Sequence, residues 1–517
     1  MRIVWILLFG CVMAGFFFFR SEPDGRLNVI LISIDSVRAD HLSLYGYHRE
    51  TMPHLTEWAR DAVVFNDYYA TSFLTPISEM SVHTGRYPFT HGVTSFESPL
   101  RGDVPTLAEV LKEGGWQTAA FGSSPEFQWF KALVASFSRG FEVFPEQLRG
   151  LDSVRDHALA ARGGNPVSEA VSWLMHTRDT RRPFFLWIPM GSAHWPFGQN
   201  FPRVFSDAAY DGYFAHAPSN WQTYGMVYNG GRYVAATTTE YIGGVASSNY
   251  VTSSTPSRVE ELSEGDLSFV RDRYDDGLYA TDAMLAELFR YLKAEKLEES
   301  TIVVVQSEHG EAFGEYGYIG HYDINETEVH VPLMMRIPHV EGRREDVLIS
   351  GVDLMPTLLA FLDVSHGGMD GYDFQPYLTK EAVLPPRDRV FLTRVPLWES
   401  TLYYAFGDKG KGLREREKES RSYDVAVQTK EWKLVHRLSR ETLAEYSWWG
   451  WVSGESIRLP EYQLYTMREA PFDRREYRTD VPVPAFNDLL DSLTTFERTY
   501  TLPVSVPKGQ DRIQEYF

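Results

Sequence analysis

Three short apolar runs, each ending abruptly in polar residues, constrain this chain more than anything else in it. Residues 28–34 read Asn-Val-Ile-Leu-Ile-Ser-Ile and stop at Asp35, residues 184–188 lead into Gly-Ser-Ala-His194, and residues 301–306 lead into Ser307-Glu308-His309. Runs this short and this rich in β-branched residues, with no polar alternation, are strands buried on both faces. A strand buried twice needs a layer of helices on each side, which points to an open α/β sheet. In such sheets ligand sites gather beyond the carboxyl ends of the strands, and that is where Asp35, Glu308 and His309 stand.

Helical patterns alternate with these strands. Thr106-Leu-Ala-Glu109 is a capping box and Gly114-Gly115 a stop, so a short helix precedes a strand at 117–121. Leu278, Leu285, Leu288, Phe289 and Leu292 form a helical stripe that feeds the 301–306 strand. Beyond about residue 390 the pattern changes to strand-like runs at 426–438 and 462–467 and a final helix near 487–500. The predicted organisation is a catalytic α/β domain over 25–390, with an insertion at about 199–262, and a small C-terminal α+β domain over 391–517. Within the insertion, Tyr213, Tyr224, Tyr228, Tyr233, Tyr241 and Tyr250 alternate with small polar residues. Together with Trp448, Trp449 and Trp451 they are predicted to form a substrate rim, since aromatic faces suit sugars and lipid headgroups.

Residues 3–19 carry no charge and are flanked by Arg2 and Arg20. That length is about the lower limit for a membrane-spanning helix, and four phenylalanines at its exit do not make a signal-peptidase site. Residues 1–24 are therefore expected to be an uncleaved anchor, with the body outside the cytoplasm, periplasmic or at the cell surface. Seventy acidic against fifty basic residues give a net charge of -20, which argues against nucleic acid as a partner. The single cysteine, Cys11, excludes disulfide frameworks and Cys-based zinc clusters.

The blocks SIDSVRADHLSLYGY from Ser33, YYATSFLTPISEMSVHTGRYPFTHGV from Tyr68 and SEHGEAFGEYGYIGHYD from Ser307 together resemble the sulfatase family of the alkaline phosphatase superfamily. HWPF at His194, VDLMPTLLAFL at Val352, MDGYDFQPYL at Met369 and TKEWKLV at Thr429 follow in the family's order. The resemblance implies a large alkaline-phosphatase-like domain, its central mixed sheet flanked by helices, and a small C-terminal α+β domain. It places the nucleophile nine positions before the threonine of Thr84-Gly85-Arg86, at Thr75. Sulfatases of the best-known type convert a Cys or Ser there to formylglycine within a C/S-x-P/A-x-R signature. Thr75-Pro76-Ile77-Ser78-Glu79 lacks that signature and resembles the threonine nucleophile of branches acting on phosphoesters, phosphonates or lipid-linked phosphates.

A threonine hydroxyl is a weak nucleophile, and coordination to a divalent cation is one way to favour its alkoxide. The resemblance implies such a site from Asp35, Thr75, Glu308 and His309, holding one divalent metal ion, with calcium, zinc and manganese all compatible. Ser36 stands where many sulfatases carry a second Asp, so one anionic ligand is missing. His194 and His321 match histidines that contact the transferring group or protonate the leaving oxygen, and imidazolium donors there would stabilise its charge. Glu79 occupies a position where the family has a cation; facing the site, it would repel an anionic substrate. The implied activity is metal-dependent hydrolysis of a sulfate or phosphate ester, on a glycan or lipid, at the extracytoplasmic membrane face. Two other readings stay open: a transferase passing a phospho-alcohol group to an envelope glycan or lipid, and a non-catalytic binding protein that keeps the fold.

Overall fold

In the computed structural model all three apolar runs are strands of one central sheet. The structure describes residues 25–95, 98–122, 131–145, 165–191, 194, 201–216, 227–229, 232–237, 258–315, 319–321, 323–383, 385–394, 424–437, 462–467 and 483–500. The sheet is built from β1 (Asn28–Ile34), β2 (Val63–Tyr69), β3 (Gln117–Ala120), β4 (Phe184–Met190), β5 (Thr301–Gln306), β6 (Leu333–Arg336) and β7 (Arg343–Ser350), in the order β7-β2-β6-β5-β1-β4-β3. β1 runs parallel to both neighbours, with Ile32 opposite Ile188 on one side and Val305 on the other. β6 is antiparallel to β2 and β5, which makes the sheet mixed.

Every residue of β1 is buried, and the side chains alternate between two apolar layers. Val29 and Leu31 join one layer with Leu107 and Leu111, and Ile30 and Ile32 join the other with Val171, Leu278 and Leu285. Each such aliphatic side chain removed from water contributes about 1.5–3 kcal/mol. A one-residue slip would exchange the two layers, so register is strongly specified. The layers are completed by α1 (Thr75–Thr84), α2 (Leu107–Glu113), α3 (Pro166–His176), α4 (Glu264–Ala294) and α5 (Leu354–Phe361). The capping box of α2 forms, with Glu109 N donating to Thr106 Oγ1 at 3.2 Å and Thr106 N to Glu109 Oε2 at 3.0 Å. The leucines of the predicted stripe are all buried along α4.

The C-terminal part is an antiparallel sheet of β8 (Val390–Arg394), β9 (Asp424–Gln428), β10 (Trp432–Arg437) and β11 (Tyr462–Thr466), in that order. Helix α6 (Val483–Thr499) lays Phe486, Leu489, Leu493 and Phe496 against Val425, Val427 and Leu434. The run at 426–438 is a hairpin rather than one strand: Thr429 N donates to Trp432 O at 2.8 Å and reverses the chain there. Part of the insertion forms three antiparallel strands, Val227–Asn229, Arg232–Thr237 and Arg258–Leu262. Residues 1–24 and the three tryptophans of the expected rim lie outside the described residues. Among the described residues no helix is long and apolar enough to cross a membrane.

Candidate active site

Because β1 and β5 are adjacent and parallel, the residues that follow them emerge at the same edge of the sheet. Ligand atoms of Asp35, Glu308 and His309 there lie within 4.8 Å of one another, and all three residues are buried. The loops that carry them are stitched together. Ser307 Oγ accepts from Val37 N at 2.9 Å and donates to His309 O at 2.7 Å. Tyr274, from α4, accepts from Arg38 N at 2.9 Å and donates to Ser36 O at 2.8 Å, holding Ser36 at a φ of 62°.

Thr75 comes from a different element, as the first residue of α1, where Pro76 sits in the first turn and forfeits no helical hydrogen bond. Its Oγ1 lies 2.9 Å from His309 Nε2. The other ring nitrogen, Nδ1, is 2.8 Å from the Gly310 carbonyl, which can only accept, so Nδ1 carries the hydrogen in the neutral ring. That leaves the Nε2 lone pair facing the Thr75 hydroxyl, with Asp35 Oδ1 3.5 Å away.

Burial governs the electrostatics. It pushes the Glu308 carboxyl well above the usual carboxylate range, reinforced by the charges of Asp35 and Glu79. It lowers His309, against the opposing pull of Asp35, and lowers His321 further with the help of the other two imidazoles. The three rings form a row: His321 is 4.1 Å from His309 and 5.6 Å from His194, centroid to centroid. The expectation of imidazolium donors is thus corrected for His321, because a buried ring beside two others is held neutral and offers an N–H dipole instead. Asp35 Oδ2 and Glu308 Oε2 are buried without a hydrogen-bond partner. Two such oxygens beside an imidazole lone pair are a donor set that fits a divalent cation.

Glu79 turns away from this chemistry. One helical turn beyond Thr75, its carboxylate points beneath the site, accepting from Ser33 Oγ at 2.6 Å and Gln306 Nε2 at 2.9 Å, with His83 Nε2 at 3.2 Å. Tyr68 donates to Gln306 Oε1 at 3.2 Å, and Trp187 Nε1 to Ser33 Oγ at 3.2 Å, which completes a buried network. Ser33 lies two residues before Asp35 and Gln306 two before Glu308. Glu79 therefore fastens α1 to both ligand-bearing strands. The one sequence signal for the network is a polar residue at the same place in two otherwise apolar runs. A second residue missing from the sequence reading is Glu311, in the motif SEHGE: it is fully buried at the site's edge and neither carboxylate oxygen has a hydrogen bond.

A mixed sheet with this constellation at its carboxyl edge is that of an alkaline-phosphatase-like hydrolase. The sequence profile of the Sulfatase family matches residues 27–364; the chain belongs to the sulfatase family and is a sulfatase-like hydrolase. It is 22% identical over 463 residues to an N-acetylglucosamine-6-O-sulfatase of Bacteroides thetaiotaomicron, covering 81% of this chain and 79% of that one. It is 24% identical over 385 residues to the iduronate 2-sulfatase of Homo sapiens, covering 69% and 67%. Among solved structures, a phosphonate monoester hydrolase of Agrobacterium radiobacter superposes with a TM-score of 0.63 at 19% identity, covering 92% of this chain and 96% of that one.

Proposed function

We propose that this chain hydrolyses a sulfate or phosphate ester with Thr75 as the nucleophile and one divalent metal ion held by Asp35, Glu308 and His309, next to the Thr75 hydroxyl. The observation that carries the reading is the 2.9 Å approach of Thr75 Oγ1 to His309 Nε2, beside two buried acid oxygens that have no other partner. When bound, the ion supplies Lewis-acid stabilisation of an alkoxide and of charge on the transferring group. Thr75 Oγ1 gives its proton to solvent water and forms the new bond to phosphorus or sulfur while the alcohol departs with the old bond. His194, on the outer end of the imidazole row, gives that oxygen its proton, and His321 donates an N–H to the peripheral oxygens. Water then hydrolyses the ester on Thr75. Threonine favours phosphorus, because formylglycine hydrate expels sulfate by an elimination that sulfo-threonine cannot undergo; the sulfatase relatives favour sulfate on a glycan. In a panel of aryl sulfate, phosphate monoester, phosphodiester and phosphonate substrates, Thr75→Ala is expected to abolish turnover with the fold intact, and Thr75→Ser to retain part of it. Full activity in Thr75→Ala would refute the assignment.

The apolar run at 3–19 supports attachment to a membrane, with the hydrolase body at its extracytoplasmic face. The full chain should then remain in the membrane fraction with Met1 in place, and recovery of a mature protein starting beyond residue 15 would show cleavage instead.

A further inference from the structure

We propose that Glu311 is a further anionic group of the cation site, standing in for the acid that position 36 lacks. This rests on the metal-dependent reading above and adds a residue to it. Among the described residues, every buried carboxylate oxygen without a hydrogen-bond partner belongs to Asp35, Glu308 or Glu311, and Glu311 contributes two of the four. A buried carboxylate must be hydrogen-bonded, protonated or matched by a cation.

The neighbours of Glu311 leave the third option open and close the first. The Ser36 hydroxyl lies beside it but donates its one proton to Asp35 Oδ1 at 3.0 Å. Arg38, the buried cation of this loop, is committed elsewhere: Nε and Nη2 bind Asp40 at 2.9 and 2.7 Å, Nη1 binds Glu315 at 2.6 Å, and it meets Glu311 through the main-chain carbonyl at 3.0 Å. The backbone of Glu311 is thereby fixed while its carboxylate is not. Gly310 fixes it further, donating to Glu328 O at 2.8 Å; a Cβ there would come within 2.1 Å of Thr327 O. Glu328, the other acid close by, has its oxygens occupied by Asp323 N at 2.9 Å and Asn325 Nδ2 at 3.1 Å. What remains around the free carboxylate is Asp35, Ser36 and His194. Glu311 is not among the three residues whose ligand atoms lie within 4.8 Å of one another, so its part in the site is through one of the ion's waters.

The test is metal affinity. The purified full chain, stripped with EDTA, is titrated calorimetrically with Mn²⁺, Zn²⁺ and Ca²⁺ in turn, and circular dichroism checks that each variant is folded. Glu311→Gln should weaken binding of the preferred ion by about 10–100-fold. Adding Ser36→Asp to that variant should recover most of the loss; the φ of 62° at Ser36 suits aspartate better than most residues. Glu311→Asp, which keeps the charge on a shorter arm, should fall between and serves if Glu311→Gln does not fold. Unchanged affinity in Glu311→Gln, or in Glu311→Asp where that variant has to serve, would overturn the inference, as would a loss that Ser36→Asp fails to recover. A wild-type chain that binds none of the three ions would overturn the metal reading itself and this inference with it.

Discussion

Glu311 also predicts a stability that moves the wrong way for a native residue. Burial pushes its carboxyl from 4.5 to about 8, with Asp35 and Glu328 adding and His194 opposing. An acid raised in the folded state contributes stability that is complete below its unfolded pKa and is lost as pH climbs through the folded one. At about 1.4 kcal/mol per pH unit, the metal-free protein loses nothing at pH 4, about 3 kcal/mol by pH 7 and about 5 kcal/mol above pH 8, a large share of a typical net stability of about 5–15 kcal/mol. Glu311→Gln has nearly the same shape and never ionises. In EDTA its thermal unfolding midpoint should coincide with wild type near pH 4.5 and rise above it by several degrees at pH 9. Glu308 is common to both proteins and cancels from the comparison. A saturating divalent ion should reverse the order, since binding to the native state alone stabilises it by mass action. Parallel pH profiles, or a variant less stable than wild type at pH 9 in EDTA, would refute the reasoning.

Two further outcomes follow from the buried networks. Glu79→Leu keeps the volume but strands the Ser33, Gln306 and His83 donors; with some re-pairing between Ser33 and Gln306 it should destabilise by about 3–5 kcal/mol, seen as a lower unfolding midpoint that metal does not restore. Arg437, in β10, donates to both oxygens of Asp323 at 2.7 and 3.0 Å, in a buried pair two residues beyond His321. Arg437→Met should cost about 3–5 kcal/mol and lower turnover more than ground-state metal affinity, because the His321 loop loses its anchor while Asp35 and Glu308 keep theirs; equal loss of both would count against this.

The strands and their terminal residues could be read from sequence because a doubly buried strand leaves a continuous apolar run, and the polar residue that ends it is conspicuous. Asp35, Glu308 and His309 stand out that way and the structure brings them together, while Thr75 is singled out by the family resemblance and lies beside His309. The direction of Glu79 could not be read: it depends on how α1 is rotated against the sheet, and the Ser33 and Gln306 partners come from strands far away in sequence. The hairpin inside 426–438 was hidden because Gln428, Thr429, Lys430 and Glu431 make a turn without the Gly or Pro that usually marks one. Glu311 is not legible for a related reason, since an acid two residues past His309 looks like surface until its burial is known.

The clamp between Arg437 and Asp323 carries a consequence for how the enzyme comes into being. The central sheet needs nothing beyond β7, so it can assemble once residue 350 or so is available, and Asp35, Thr75, Glu308 and His309 can meet then. The loop bearing His321 has no settled place at that stage, because both guanidiniums that pair with the buried Asp323, those of Arg394 and Arg437, come from the later C-terminal sheet. Synthesis from the amino end thus yields first a scaffold with Thr75 in place and the His321 loop unset, and the last strands to appear are what complete it.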